Sequence, residues 1–192
     1  MLTKSIYVSG VNNLSDARYC SGMGADYIGV NADEENSSYL SVEKFNEING
    51  WIVGVNWIVE SEATSFNELL DKCVKYDIKR ICVSNAQVAQ SFIENGYEVI
   101  IKTDEMPTEL AESPEILGYE VAFTEELIDG FEDSSLSVNS SIYLSGAISL
   151  ENLERINCVE SIYGVVLTGG DELRPGFKDM DALIDAIEVF ED

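Results

Sequence analysis

Short segments rich in β-branched residues alternate with helix-like segments along most of this chain, and this alternation restricts the fold more than any other feature. Such alternation is typical of βα units that build a parallel sheet. The segments predicted as strands are residues 5–9, 27–30, 51–57, 80–84, 98–103, 119–123, 141–145 and 164–168. The segments predicted as helices are residues 15–23, 42–48, 66–76, 86–94, 107–111, 125–129, 150–156 and 180–190.

Eight predicted strands in 192 residues are compatible with two architectures. A closed (β/α)₈ barrel uses all eight strands and is close to its lower size limit at this length. A doubly wound open sheet uses six or seven strands and requires that one predicted strand be wrong. No Pro-, Gly- or Ser-rich linker and no low-complexity tract divides the chain. We therefore predict one α/β domain over residues 1–192, a compact (β/α)₈ TIM barrel, with the open sheet as the alternative.

The charge balance restricts the partners of the protein. Eleven basic residues face 36 acidic ones, which gives a formal net charge of −25. A field of this sign repels nucleic acid and anionic membranes, so neither is predicted as a partner. With so few cations, a bound anion would have to be held mainly by backbone N–H groups.

The cysteines do not predict a metal site. Four of them lie far apart inside apolar segments, without a CxxC pair, and the chain has no histidine. A structural zinc site needs closely spaced ligand pairs, so reduced, buried thiols are the better interpretation and no metal or cofactor is predicted. No segment has the apolar length to span a bilayer, and the first residues do not resemble a signal peptide. We expect a cytoplasmic protein, either a monomer or a homodimer.

Small residues follow the last two predicted strands. Residues 142–147 read IYLSGA and residues 164–170 read GVVLTGG. Glycine at a strand end permits a positive φ and lets a ligand approach the backbone closely, although it can also simply form a tight turn. In (β/α)₈ enzymes the loops after strands seven and eight commonly bind phosphate. Two such loops at successive strand ends favour a phosphate-sized anion site.

Several segments of the N-terminal half resemble motifs of one enzyme family. The chain has IYVSGV at residues 6–11 where that family has K-I-C-G-I, NLSDA at 13–17 for L-E-D-A, and GADYIG at 24–29 for G-A-D-x-x-G-F. Further on, SSYLS at 37–41 is similar to S-x-R-Y-[IV]-S, VGV at 53–55 to V-G-V-F, and IIK at 100–102 to V-I-K.

The C-terminal quarter carries further motifs of the same family. LSG at 144–146, with EN at 151–152, resembles L-[SA]-G-G-L-x-x-E-N. TGGDE at 168–172 and PGFKD at 175–179 resemble S-S-G-V-E and P-G-x-K-D. On both ends together the chain resembles phosphoribosylanthranilate isomerase of tryptophan biosynthesis, whereas residues 106–140 match poorly.

The resemblance implies a (β/α)₈ barrel and a ligand that carries a sugar phosphate. Carried over residue by residue, it places phosphate binding at Ser145, Gly146, Ala147, Thr168, Gly169 and Gly170. These are the loops that the glycines and strand ends indicate independently.

The resemblance also implies which residues would catalyse an Amadori rearrangement. The cysteine that serves as the family's general base is replaced by Ser9 here. The aspartate at the end of strand six that serves as its general acid is replaced by Thr124, unless the alignment slips by one residue and Glu125 is the acid. The arginine that binds the substrate carboxylate is Ser38. A serine hydroxyl needs a partner base to act as a general base, and a threonine hydroxyl has no proton of useful pKa to donate. Because the general base, the general acid and the carboxylate-binding arginine are all replaced, we predict that the family's substrate is not turned over.

Three functions remain open from the sequence. The first is a divergent homologue that binds a phosphorylated small molecule, without the ordinary isomerase activity. The second is an active isomerase, an intramolecular oxidoreductase, that uses replacement residues. The third is a scaffold or assembly protein without enzymatic activity. Two further side chains stay ambiguous: Lys102 lines a pocket or pairs with Asp104 or Glu105, and Cys82 faces the barrel interior or packs inertly in the core.

Overall fold

The computed structural model of the chain is a closed barrel of eight parallel strands in sequence order, β1 to β8. The structure describes residues 2–106, 113–133, 136, 140–169, 172–174 and 177–191, and for residues 172–174 and 177–178 the backbone only. The barrel strands are β1 Ser5–Ser9, β2 Tyr27–Asn31, β3 Asn56–Glu60, β4 Arg80–Val83, β5 Glu98–Thr103, β6 Ile116–Ala122, β7 Ile142–Ser145 and β8 Ile162–Thr168. Because β8 pairs with β1, the sheet closes. The predicted (β/α)₈ fold is confirmed, and the open sheet is wrong.

Helices cover the outside of the barrel. They are α1 Leu14–Gly22, α2 Val42–Asn49, α3 Phe66–Tyr76, α4 Ala86–Glu94, α5 Glu125–Glu132, α6 Leu150–Cys158 and α7 Asp181–Phe190. Each of the first six begins after a Ser, Thr or Asn whose side-chain oxygen accepts a hydrogen bond from a first-turn backbone N–H. Such a cap stabilises a helix by about 1 kcal/mol. None of the helices within the described residues is apolar and long enough to cross a membrane.

One segment after the barrel forms strands that were not predicted, and one predicted helix cannot be compared with the structure. After β8, residues Glu172–Arg174 (β9) and Phe177–Lys178 (β10) pair as an antiparallel hairpin that the sequence analysis did not predict. The helix predicted over residues 107–111 lies outside the described residues.

The third strand is displaced from its predicted position. The prediction of a strand over residues 51–57 is wrong, because β3 runs over Asn56–Glu60. Gly54 has a φ of +83°, a left-handed conformation that turns the chain in the middle of the apolar run. Trp51 therefore lies outside the barrel, 73% exposed, whereas Trp57 is buried. The shift matters for the site, because it makes Glu60 the last residue of β3. At β6 the error is smaller, since the strand begins at Ile116 rather than at residue 119.

Successive side chains along a strand point to opposite faces of the sheet, so the barrel strands contribute to two separate cores. One set packs outward under the helices, with residues such as Ile28 and Val165 fully buried. The other set fills the barrel interior as a small inner cluster of Tyr7, Ile58, Ile100, Tyr143 and Val166. The residue two positions further along each of these strands also faces the interior, one layer nearer the carboxyl-terminal end. These next residues are Ser9, Glu60, Lys102, Ser145 and Thr168.

Candidate functional site

A polar pocket opens above the inner cluster, at the end of the barrel where the strands finish. We call it the mouth pocket and define it by Ser9, Glu60, Cys82, Lys102, Glu120 and Thr168. Its volume is about 500 Å³, within the range of small-molecule sites. The carboxyl-terminal end is also the end at which (β/α)₈ enzymes place their active sites.

Glu60 lies on one side of the mouth pocket, folded over the neighbouring strand β2. Its Oε1 accepts a hydrogen bond from the Tyr7 hydroxyl, and its Oε2 accepts one from the Gly10 backbone N–H at 3.0 Å. The Ser9 side chain also hydrogen-bonds to this carboxylate. Burial raises the pKa of Glu60, and the nearby Glu120 adds to the increase, although these hydrogen bonds oppose it.

Glu120 enters the pocket from β6 and is stabilised by a lysine. Its side chain is 5% exposed, and its Oε1 lies 3.1 Å from Lys102 Nζ. Burial lowers the pKa of Lys102, but the Glu120 carboxylate outweighs burial and leaves that pKa raised. The Cys82 thiol donates to Glu120 Oε2 over 3.7 Å. Burial, with Glu120 and Glu60 nearby, raises the pKa of Cys82 well above its usual value, so the thiol stays protonated.

The charges of the pocket disfavour a carboxylate-bearing ligand. Among the described residues that line it, the acids are Glu60, Glu62, Asp104 and Glu120, and the cation is Lys102, which Glu120 already pairs. Hydroxyl side chains make up much of the remaining lining: Ser9, Ser38, Ser61, Ser84, Thr103 and Thr168. In the part of the chain that the structure describes, no group of three or more Cys, Asp or Glu side chains could hold a metal ion. The pocket is therefore suited to hydrogen-bonding an uncharged, hydroxyl-rich group.

The two loops predicted to bind phosphate follow neighbouring strands. β7 pairs with β8, with Ser145 opposite Val166. Gly146 has a φ of +117°, and open space surrounds the position that a Cβ there would occupy. Thr168 and Gly169 line the mouth pocket, whereas Ser145, Gly146 and Ala147 lie beside it and do not line it. Gly170 lies outside the described residues.

The positions predicted for catalysis are only partly brought together. Ser9 and Ser38 both line the mouth pocket. Thr124 does not; it is the N-cap of α5, where its hydroxyl accepts a hydrogen bond from the Leu127 N–H at 3.1 Å. Glu125 points away from the pocket, and its carboxylate pairs with Arg155 at 2.9 Å. Glu125 as a replacement acid stays a prediction, and its pairing with Arg155 does not support it.

The structure shows the surroundings of the two side chains whose roles the sequence left ambiguous. Lys102 lines the pocket, as one interpretation proposed, but its partner is Glu120 rather than Asp104 or Glu105. Cys82 faces the interior, where it packs against the inner cluster and also lines the pocket. Sequence reasoning missed Glu60 and Glu120 entirely. The available signal was their spacing, because each lies two residues after an interior position, Ile58 and Gly118.

Comparison with known proteins gives one significant curated relative and many similar folds. No family model matches the chain. It is 29% identical over 196 residues to N-(5′-phosphoribosyl)anthranilate isomerase of Aquifex aeolicus (strain VF5). This alignment covers 91% of this chain and 92% of that protein.

Solved structures agree on the fold. Phosphoribosyl anthranilate isomerase of Thermus thermophilus superposes with a TM-score of 0.74 at 16% identity, over 96% of this chain and 97% of that one. A phosphoribosyl anthranilate isomerase in complex with reduced 1-(o-carboxyphenylamino)-1-deoxyribulose 5-phosphate superposes with a TM-score of 0.71 at 19% identity, over 98% of both chains. At these identities the structural likeness shows the fold alone.

Proposed function

We propose that this chain is a divergent homologue of the phosphoribosylanthranilate isomerase family that binds a phosphorylated small metabolite at the mouth of its barrel without catalysing that family's Amadori rearrangement. The observation that carries the proposal is the role of Thr124. At the family's acid position its hydroxyl is committed to capping α5, and the next carboxyl, Glu125, is paired with Arg155 on the outside of the barrel.

Binding of the phosphate is supported by the ends of β7 and β8. Gly146 and Gly169 follow adjacent strands, so the backbone N–H groups of the two loops can converge on one anion. A side chain at Gly146 would be strained at its φ of +117°, and the space beside it is open to a ligand. The compound bound to the relative solved in complex is a 5-phosphate, which supports a phosphate-bearing ligand for this chain.

The rest of the mouth pocket supports a change of substrate. The family's arginine clamp is Ser38 here, and the pocket places four acids around one paired lysine. A carboxylate on the ligand would meet repulsion and, among the described lining residues, find no cation other than the paired Lys102. The bound metabolite is therefore a sugar phosphate without an aryl carboxylate.

Binding is tested by isothermal titration calorimetry with D-ribose 5-phosphate and with inorganic phosphate. We expect binding by the native chain and a loss of at least tenfold in affinity, about 1.4 kcal/mol, on Gly169→Asp. Gly22→Asp is the matched control, because it adds the same charge at the exposed end of α1. Absence of binding at millimolar ligand would reject the proposal and favour a scaffold.

Loss of the ancestral reaction is tested by complementation. A bacterial strain that lacks phosphoribosylanthranilate isomerase requires tryptophan, and we expect that expression of this chain does not restore growth.

One observation favours the second candidate function, an active isomerase with replacement residues: the Ser9 hydroxyl is hydrogen-bonded to Glu60 and so has a partner base. Restored growth that Glu60→Gln abolishes would establish this second function.

A further inference from the structure

We infer that Glu60 and Glu120 are an acid–base pair that shifts a proton between adjacent carbon atoms of an aldose phosphate bound in the mouth pocket. The inference rests on the proposed function for the anchoring of the phosphate, and it goes beyond it by assigning a reaction and two catalytic residues. Neither residue occupies a position of the family motifs described above.

The first step is placement. Glu60 ends β3, and Glu120 lies in β6, three strands further around a closed barrel of eight. Both side chains line the same pocket, so the two carboxyl groups face the same volume from different strands. The ends of β7 and β8 lie at the edge of this volume, where Thr168 and Gly169 also contribute to the lining. A sugar whose phosphate lies at that edge extends its carbon chain between the two carboxyl groups.

The second step is the difference between the two environments. Glu120 forms an ion pair with Lys102, whose Nζ lies 3.1 Å from Glu120 Oε1. Glu60 has no cation among its described partners, which are the Tyr7 hydroxyl, the Ser9 side chain and the Gly10 N–H. Burial and the neighbouring Glu120 charge favour the protonated form of Glu60. A carboxylate paired with a lysine and a buried carboxyl group of raised pKa, both lining one pocket, form a combination that general acid–base catalysis can use.

The third step is the substrate class. The lining hydroxyl groups, with Asn31 and Asn36, can hydrogen-bond a polyhydroxylated carbon chain. Glu62 and Asp104 at the rim repel an additional negative group inside the pocket. The ligand is an open-chain aldose phosphate whose only strong negative charge is its phosphate.

The reaction balances without a cofactor. The Glu60 carboxyl gives its proton to the carbonyl oxygen at carbon 1, while the Glu120 carboxylate removes the proton from carbon 2, and the C–H electron pair forms the double bond of an enediol. Glu120 then returns its proton to carbon 1, and Glu60 takes the proton from the oxygen on carbon 2, which becomes the carbonyl oxygen of a ketose. Both residues end in their starting states, and the aldose has become its 2-ketose isomer.

The experiment measures proton removal directly. The protein is incubated in D₂O with D-ribose 5-phosphate, and loss of the proton signal at carbon 2 is followed by NMR, while calorimetry on the same samples measures binding. We expect exchange by the native chain, and a decrease of about 10²-fold or more in Glu120→Gln and in Glu60→Gln. Glu47→Gln, an exposed acid on α2, is the matched control and should exchange at the native rate.

The two readouts separate this inference from the function on which it rests. Binding by the native chain without exchange would overturn the acid–base assignment and leave the proposed function intact. Absence of binding would overturn both. Exchange that persists in both Gln variants at the native rate would also overturn the assignment, whereas lost exchange with retained binding supports it over a purely structural role.

Discussion

The carboxylate of Glu60 occupies the space that a side chain on Gly29 would need. A Cβ built at residue 29 would overlap Oε1 and Cδ of Glu60. Gly29 lies in β2 and faces the barrel interior, two residues before Asn31, which is opposite Glu60 in the β2–β3 pairing. The absence of a side chain on β2 therefore permits the position of the principal carboxyl group of the mouth pocket.

Gly29→Ala should displace Glu60 and break its hydrogen bonds to Tyr7 and Gly10. We expect the free energy of unfolding to fall by about 1–3 kcal/mol, because a buried carboxyl loses donors and the interior is overpacked. Urea denaturation measures the change. Gly22→Ala is the control, since nothing lies within 4 Å of its Cβ and alanine in a helix adds up to about 1 kcal/mol. Equal stability of the two variants would show that Glu60 relaxes without cost.

Glu60→Gln should change how stability depends on pH. The pKa of Glu60 is raised in the folded state, mainly by burial, above an unfolded value of about 4.3. Its favourable contribution is therefore complete below that pH and is lost as the pH rises through the folded pKa. We expect Glu60→Gln to gain stability relative to the native chain as the pH is raised from about 4.3. Thermal unfolding across pH measures this difference, and a difference that stays constant would show that the pKa of Glu60 is not raised.

Arg155→Met should weaken the packing of α5 against α6. The Arg155 guanidinium lies 2.9 Å from Glu125, 2.6 Å from Asp129 and 2.7 Å from Glu132, so one cation bridges three carboxylates of α5. Without it these acids repel one another, and we expect a lower unfolding temperature at low salt and a smaller effect at high salt. Lys75→Met, which breaks one exposed pair with Asp71, is the control and should change little. An Arg155 variant as stable as the native chain at low salt would contradict this account.

The thiols should react at very different rates. Cys158 is exposed, whereas Cys20 and Cys73 are buried, and burial raises the pKa of Cys73 to about 12. Cys82 lines the pocket, but burial and the adjacent Glu120 keep its thiol protonated. We expect iodoacetamide at pH 8 to modify Cys158 first, as mass spectrometry of peptides measures. Cys158→Ser should abolish the fast phase, and rapid labelling of Cys82 would show that its thiolate is accessible.

The fold was largely predictable from the sequence because the alternation of strands and helices is local. The error at the third strand has a local cause as well. Residues 51–59 form one apolar run interrupted only by Gly54 and Asn56, and periodicity does not show that Gly54 turns the chain. The closure of the barrel does not follow from periodicity alone, because it depends on the pairing of β1 with β8, the two strands furthest apart in the sequence.

The site was less predictable, because it depends on which side of a strand faces inward. An acid at the end of an apolar strand, such as Glu60, is ordinarily solvent-exposed, and only the register of the closed barrel places it over Gly29. Glu120 lies between two outward-facing residues, Tyr119 and Val121, and its partner Lys102 comes from the neighbouring strand. The family motifs indicate Thr124 and Glu125 as the acid, whereas in the structure Thr124 caps α5 and Glu125 pairs with Arg155.

A crystal structure of the protein saturated with D-ribose 5-phosphate tests the central claim most directly. The account predicts phosphate density against the backbone N–H groups that follow β7 and β8, at Gly146 and Gly169, with the sugar chain between Glu60 and Glu120. A mouth pocket without sugar at saturating ligand, or a phosphate bound at Lys102 with those N–H groups unoccupied, would contradict it.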